Sequence, residues 1–132
     1  MEYREAEFVR FIANDETLAD LLGRGEGGHL TKEREHAVLV VHSEVGHRLV
    51  LVRGGRDGII LNVDDDGKIT IEAEGRSLEV HKLAWHVHPK PSGPSDHDRR
   101  LLDHLHQDSS MLYEIGGAGE GTRFHAMSRR RP

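Results

Sequence analysis

The run Trp85-His86-Val87-His88-Pro89-Lys90-Pro91-Ser92-Gly93-Pro94-Ser95-Asp96-His97-Asp98 restricts this chain more than any other stretch. Leu78, Val80, Leu83, Trp85 and Val87 predict a strand over residues 78–88. Side chains at i and i+2 of a strand leave on one face, so His86 and His88 stand side by side. Pro89, Pro91 and Pro94 each lack a backbone donor and have a fixed φ, so neither strand nor helix continues and the chain must turn. Ser95 follows as a helix N-cap, which puts Asp98 in the first helical turn. A turn of this length can bring the Asp98 carboxylate back over the strand end. Two imidazoles and a carboxylate, with a position left for water, make the ligand pattern of a catalytic zinc rather than a closed structural one.

Composition narrows the alternatives. At 132 residues the chain suits a single domain, large enough to fold on its own core without metal or disulfide. The absence of cysteine leaves only histidine and carboxylate as strong metal ligands and excludes the Cys-dependent zinc deaminase site. A net charge of −5 and the lack of a basic stripe argue against nucleic acid as a partner. No apolar run reaches the roughly 18–20 residues of a membrane span, and Met1-Glu2-Tyr3-Arg4-Glu5 does not read as a signal peptide, so a cytoplasmic protein is expected.

In chain order, Phe8, Phe11, Ile12, Leu18, Leu21 and Leu22 recur at helical spacing and predict an amphipathic helix over residues 2–22. Gly23-Arg24-Gly25-Glu26-Gly27-Gly28 matches a dinucleotide-binding pattern by letter, but it follows a helix and carries an acid where phosphate would lie, so it reads as a turn. Ala37–Val41 and Leu49–Val52 predict a hairpin, Ile59–Val63 a third strand and Ile69–Ile71 a fourth. Asp64-Asp65-Asp66-Gly67 lacks the calcium-loop spacing and reads as a solvated hairpin turn. The strand carrying the His pair is the fifth. After it, Asp98, Leu101, Leu102 and Leu105 share one face of a helix from Ser95 to about Gln107. Met111–Ile115 and Thr122–Met127 are closing strands, joined by the Gly116–Gly121 loop. His29, His42, His47, His81 and His125 are scattered, with surface or core packing as their expected role.

His86-x-His88-Pro89 followed by Ser95-x-x-Asp98 resembles the signature of the JAB/MPN (JAMM) zinc metalloprotease superfamily, with the wording closest to bacterial JAB-like domains of polymorphic-toxin and phage type. The loop between His88 and Ser95 is one residue shorter than is usual there, and the Ser-x-x-Asp spacing is intact. The resemblance implies an α/β fold: a cytidine-deaminase-like JAB/MPN sandwich whose mixed β-sheet is flanked by an N-terminal helix and by the helix after the His-x-His strand. Its expected organisation is one domain over 1–128, with the N-terminal helix in 1–22, the sheet and metal-site helix in 36–127, and a basic tail at 129–132. It implies Zn²⁺ held by His86, His88 and Asp98, with the Ser95 hydroxyl helping to stabilise an oxyanion. It also requires an upstream Glu as general base and acid. Glu35, in Glu35-His36-Ala37-Val38, fits best, and Glu33 is the second choice.

The implied activity is hydrolysis of a peptide or isopeptide bond in a protein or peptide substrate, with ubiquitin-like conjugates or a secreted toxin-type effector as candidate contexts. Alternatives are a catalytically silent MPN-like binding or scaffold module, or another metal-assisted hydrolase. Taken alone, His86 and His88 are two polar residues on one strand face, and Ser95 with Asp98 is a capped helix start. Taken together, the His pair, the turn, the inward acid and the upstream Glu are better explained by one metal site. His97, His104 and His106 lie near it in sequence, and His97 and His104 fall on a different helix face from Asp98.

Overall fold

The computed structural model describes residues 7–13, 15, 35–54, 61–88, 96–114 and 123–129. Runs of β-branched and aliphatic residues place most of these in strands. The elements are β1 (Glu7–Ile12), β2 (His36–Ser43), β3 (Gly46–Arg53), β4 (Asn62–Val63), β5 (Ile69–Ala73), β6 (Arg76–His88), α1 (Asp96–His104), β7 (Ser109–Glu114) and β8 (Arg123–Ser128). They form one eight-stranded sheet in the order β1-β3-β2-β6-β5-β4, with β7 paired to β6 and β8 to β7. All pairings are antiparallel except β6 with β7.

β2 lies between β3 and β6 with both edges paired, and its two faces pack into separate apolar clusters, which is why Ala37-Val38-Leu39-Val40-Val41 is a continuous apolar run. Ala37, Leu39 and Val41 join the main core with Val50, Val52, Leu83 and Met127. Val38 and Leu51 belong to a smaller cluster with Ile12, Leu49, Ala84 and Trp85. α1 closes the main core through Leu102, which is fully buried, and through Leu101 and Leu105.

The end of α1 fixes where it sits. His106 takes a left-handed φ of 53°, and the His106 and Gln107 amides donate to the carbonyls of Asp103 and Leu102 at 3.1 and 2.9 Å. This is a Schellman-type stop. It delivers Gln107 to β6, where its side-chain Oε1 accepts from the Leu83 amide at 2.9 Å. Its Nε2 donates to the Leu83 carbonyl at 2.8 Å, so the amide side chain replaces a strand neighbour there. At the acidic turn, the Asp64 carboxylate accepts from the amides of Asp66 and Lys68 at 3.0 and 2.8 Å, which makes it a self-satisfied hairpin turn.

This architecture overturns the expected α/β sandwich with its flanking N-terminal helix. Among the described residues α1, nine residues long, is the only helix, and Glu7–Ile12 is a strand on β3. The reason is a bulge. Phe8 pairs with Val52 and Arg10 with Leu51, which skips Val9, so positions 8 and 11 oppose residues only two apart on β3. A spacing of three therefore comes from a kinked strand. Val9 and Ile12 are β-branched and Phe8 and Phe11 aromatic, the residue types that suit a pleated surface.

Of the expected third strand Asn62–Val63 is a strand and Leu61 is not, while residues 59–60, all of 1–22 except 7–13 and 15, the 23–28 turn and the 116–121 loop lie outside the described residues. The basic tail is not wholly free either. Arg129 donates through its backbone to the Asp108 carbonyl and through Nε to Asp103, both at 2.8 Å.

Candidate metal centre

The sheet register brings the upstream glutamate to the histidines. Ala37 pairs with His86 and His36 with Val87. The Gly54 amide donates to the Glu35 carbonyl at 2.8 Å, which extends the β2–β3 ladder one residue beyond β2 and sets Glu35 opposite His88. Alternation then puts Glu35, Ala37, His86 and His88 on one face. Asp98 reaches that face from the first turn of α1, held there because Leu101, Leu102 and Leu105 on the same side are packed into the core.

Glu35, His86, His88 and Asp98 thus meet, with one potential ligand atom from each lying within 4.8 Å of all the others. Asp98 Oδ2 is 3.3 Å from His86 Nε2 and 3.1 Å from His88 Nε2. Glu35 Oε1 is 3.3 Å from His88 Nε2. The imidazoles are 2% and 6% exposed, and their centroids are 4.9 Å apart with planes at 72°. The two carboxylates are largely buried as well.

This arrangement fits a zinc ion on three counts. Among the described residues neither ring nitrogen of the buried His86 makes a hydrogen bond, the Asp98 carboxylate at 3.3 Å from Nε2 approaching it only as an ion pair, a state that normally costs about 1–3 kcal/mol and that a metal bond to one nitrogen would relieve. Two donors on a tetrahedral zinc with bonds of about 2.0–2.1 Å are roughly 3.3 Å apart, close to the His86–Asp98 and His88–Asp98 separations of 3.3 and 3.1 Å. The donors are also the nitrogen and oxygen types that zinc accepts.

Without an ion, a proton takes the same place. Burial opposes a charge on His88, but its hydrogen bonds to Asp98 and Glu35 and the charges of both carboxylates outweigh that cost, and its pKa is pushed up to about 10.

Four of the five expected site residues join the cluster: His86, His88 and Asp98, with Glu35, the favoured general base. The fifth, Ser95, lies outside the described residues, as does Glu33. His104 and His106 are exposed, and the His97 side chain lies outside the described set. One neighbour escaped the sequence reading. Glu114, buried at the end of β7, is the Cα partner of His88 and is hydrogen-bonded to His125. Its signal was the alternation Ser110, Leu112, Glu114, all buried, which places an acid at an inward strand position.

His42, His47 and His81, expected to be unrelated, also come together in a second group. No helix among the described residues is long and apolar enough to cross a membrane. No family model, curated protein or solved structure matches the chain.

Proposed function

We propose that the chain is a zinc-dependent hydrolase of JAMM type, acting on a peptide or isopeptide bond. What supports this reading is the meeting of His86, His88, Asp98 and Glu35 in one buried cluster, assembled from β6, α1 and the residue preceding β2. The cluster argues for metal-assisted hydrolysis. The class of bond rests on the motif resemblance alone, because the sandwich that would have accompanied it is not the fold observed. The cytoplasm, or a cell reached as part of a secreted effector, is the proposed place of action.

His86, His88 and Asp98 would hold the ion. Bound zinc supplies a Lewis acid that polarises a carbonyl and lowers the pKa of water from about 15.7 toward 7. Glu35 then has the work of a base. Its carboxylate accepts the proton of the attacking water and returns it to the leaving amine. Held within 3.3 Å of His88 Nε2, it needs no large movement to serve both steps. The Ser95 hydroxyl is the proposed donor to the oxyanion. The low exposure of His86, His88, Asp98 and Glu35 strengthens the polar contacts among them.

The test is zinc content by elemental analysis on untagged protein, followed by hydrolysis of a peptide and an isopeptide substrate. The His88→Ala, Asp98→Ala double variant is expected to lose one zinc per chain while remaining folded. Glu35→Gln is expected to keep that zinc and to lose about 10²- to 10⁴-fold in rate. Zinc content indifferent to the double substitution, or a Glu35→Gln protein as active as the parent, would overturn the proposal.

A further inference from the structure

The other half of β2 carries a second group of imidazoles. His42 and His47 are cross-strand partners in the β2–β3 hairpin, five residues along β2 from Ala37, about 17 Å at the usual strand rise. His81 comes from β6. Ring centroids are 4.6 Å apart for His42 and His47, 5.0 Å for His42 and His81, and 4.5 Å for His47 and His81, the last pair stacked at 24°. His47 Nε2 and His42 Nδ1 are 3.1 Å apart, and one ring nitrogen from each of the three lies within 4.8 Å of the others.

His81 is there because of a bulge. Val41 pairs with Val80 but Val40 pairs with Lys82, so His81 is the extra residue of β6. A bulge lets two adjacent residues share one face. His81 thereby takes the face of Val40 and His42, away from the core face that holds Val41, Val80 and Leu83. In β3 the same alternation puts His47 with Leu49 and Leu51, opposite the main core.

We propose that His42, His47 and His81 form a second, surface site for a divalent late first-row transition ion such as Zn²⁺, binding one ion per chain. The donor set is three imidazoles and no carboxylate, which suits zinc, copper or nickel and not calcium or magnesium. The rings are already gathered, so binding orders little that is not ordered before. To hold one zinc with bonds of about 2.0–2.1 Å the rings must turn, the stacked His47 and His81 most, so that nitrogens now within 4.8 Å of one another close to roughly 3.3 Å. Because two of the three side chains are exposed, the remaining coordination position opens to solvent. The ion would tie the β2–β3 hairpin to β6. This inference stands apart from the hydrolase reading, since no residue is shared between the two groups.

The test is equilibrium dialysis of untagged protein against micromolar Zn²⁺, read by elemental analysis, with four variants beside the parent. In the His88→Ala, Asp98→Ala background one zinc per chain is expected to remain, and adding His47→Gln is expected to remove it. His47→Gln alone is expected to take one zinc from the parent and to leave hydrolysis unchanged, while His104→Gln, at an exposed histidine outside the group, changes nothing. His47 is exposed in a hairpin, so its replacement leaves the fold intact. A zinc that survives His47→Gln in the His88→Ala, Asp98→Ala background, or the absence of any zinc in the double variant, would overturn the second site. A parent that binds one zinc, sensitive to His47→Gln and indifferent to the His88→Ala, Asp98→Ala substitutions, would support this site and sink the principal one.

Discussion

His88 carries two opposed demands at the scale of the residue. As a zinc ligand it must be neutral, yet in the metal-free protein Asp98 and Glu35 overcome its burial and push its pKa up to about 10, against an ordinary value of 6.5. Between those values the folded state holds a proton that the unfolded chain has released, so stability falls as pH rises. The contribution is fully present below about 6.5 and gone above about 10. Urea midpoints of chelator-treated protein are therefore expected to decline from pH 6.5 to 10, and in His88→Gln this decline flattens. An equally steep decline in the variant would mean that another group is responsible. Zinc must displace the same proton, so uptake at pH 7.5 is expected to release about one proton from His88, measurable from the buffer dependence of the binding heat. The pairing of His86, His88 and Asp98 was legible because it needs only the period of a strand and of a helix across one short turn. Glu35 was reachable only through the family resemblance, since its place depends on the register of β2 against β6.

Register is where element-scale reading failed and also where it can be probed. The apolar positions of β6 step by three from Val80 to Leu83, and the ladder against β2 shows why: His81 and Ala84 are each bulged out. Two bulges cancel in parity, so His86 and His88 still face the core side as simple alternation expects. One bulge does not cancel. In β1 the single skip at Val9 turns period two into a spacing of three and imitates a helix. For the same reason the triad of His42, His47 and His81 was invisible in the sequence, because it needs two registers and a bulge at once.

Between β5 and β7 the free stretch of β6 is served by Gln107, bonded to both backbone groups of Leu83, and by the Ser110 hydroxyl, which donates to the Leu83 carbonyl at 2.9 Å. Gln107→Ala leaves the buried Leu83 amide without its side-chain acceptor and is expected to cost about 1–3 kcal/mol in urea unfolding. A loss below about 0.5 kcal/mol would show that solvent or a neighbour replaces the amide. His106→Gly should act in the other direction, because its left-handed φ of 53° suits glycine without strain.

The whole molecule separates its core from its metal chemistry. The main cluster runs from β2 and β3 through β5 and β6 to Leu102 of α1 and Met127 of β8, and it contains none of the residues that would ligate an ion. The strands are therefore held by apolar burial and ladder hydrogen bonds, while the ligands hang from their ends. A protein built this way should survive loss of its metal, unlike a small zinc domain whose folding energy is the metal's own. Zinc at a hundredfold excess over its dissociation constant stabilises the native state by about 2.7 kcal/mol, if unfolded chains do not bind it. At a few degrees per kcal/mol for a domain of this size, chelation is expected to lower the melting temperature by about 10 °C. The strand signal in far-ultraviolet circular dichroism at 25 °C should stay unchanged. The drop should also widen as pH rises from 6.5 toward 10, since the His88 proton that the metal must displace stabilises the apo state less and less. Cooperative loss of the strand signal on adding chelator at 25 °C would show instead that the ion organises the sheet, and that α1 and the end of β6 are held together by their ligands rather than by Leu101, Leu102 and Leu105.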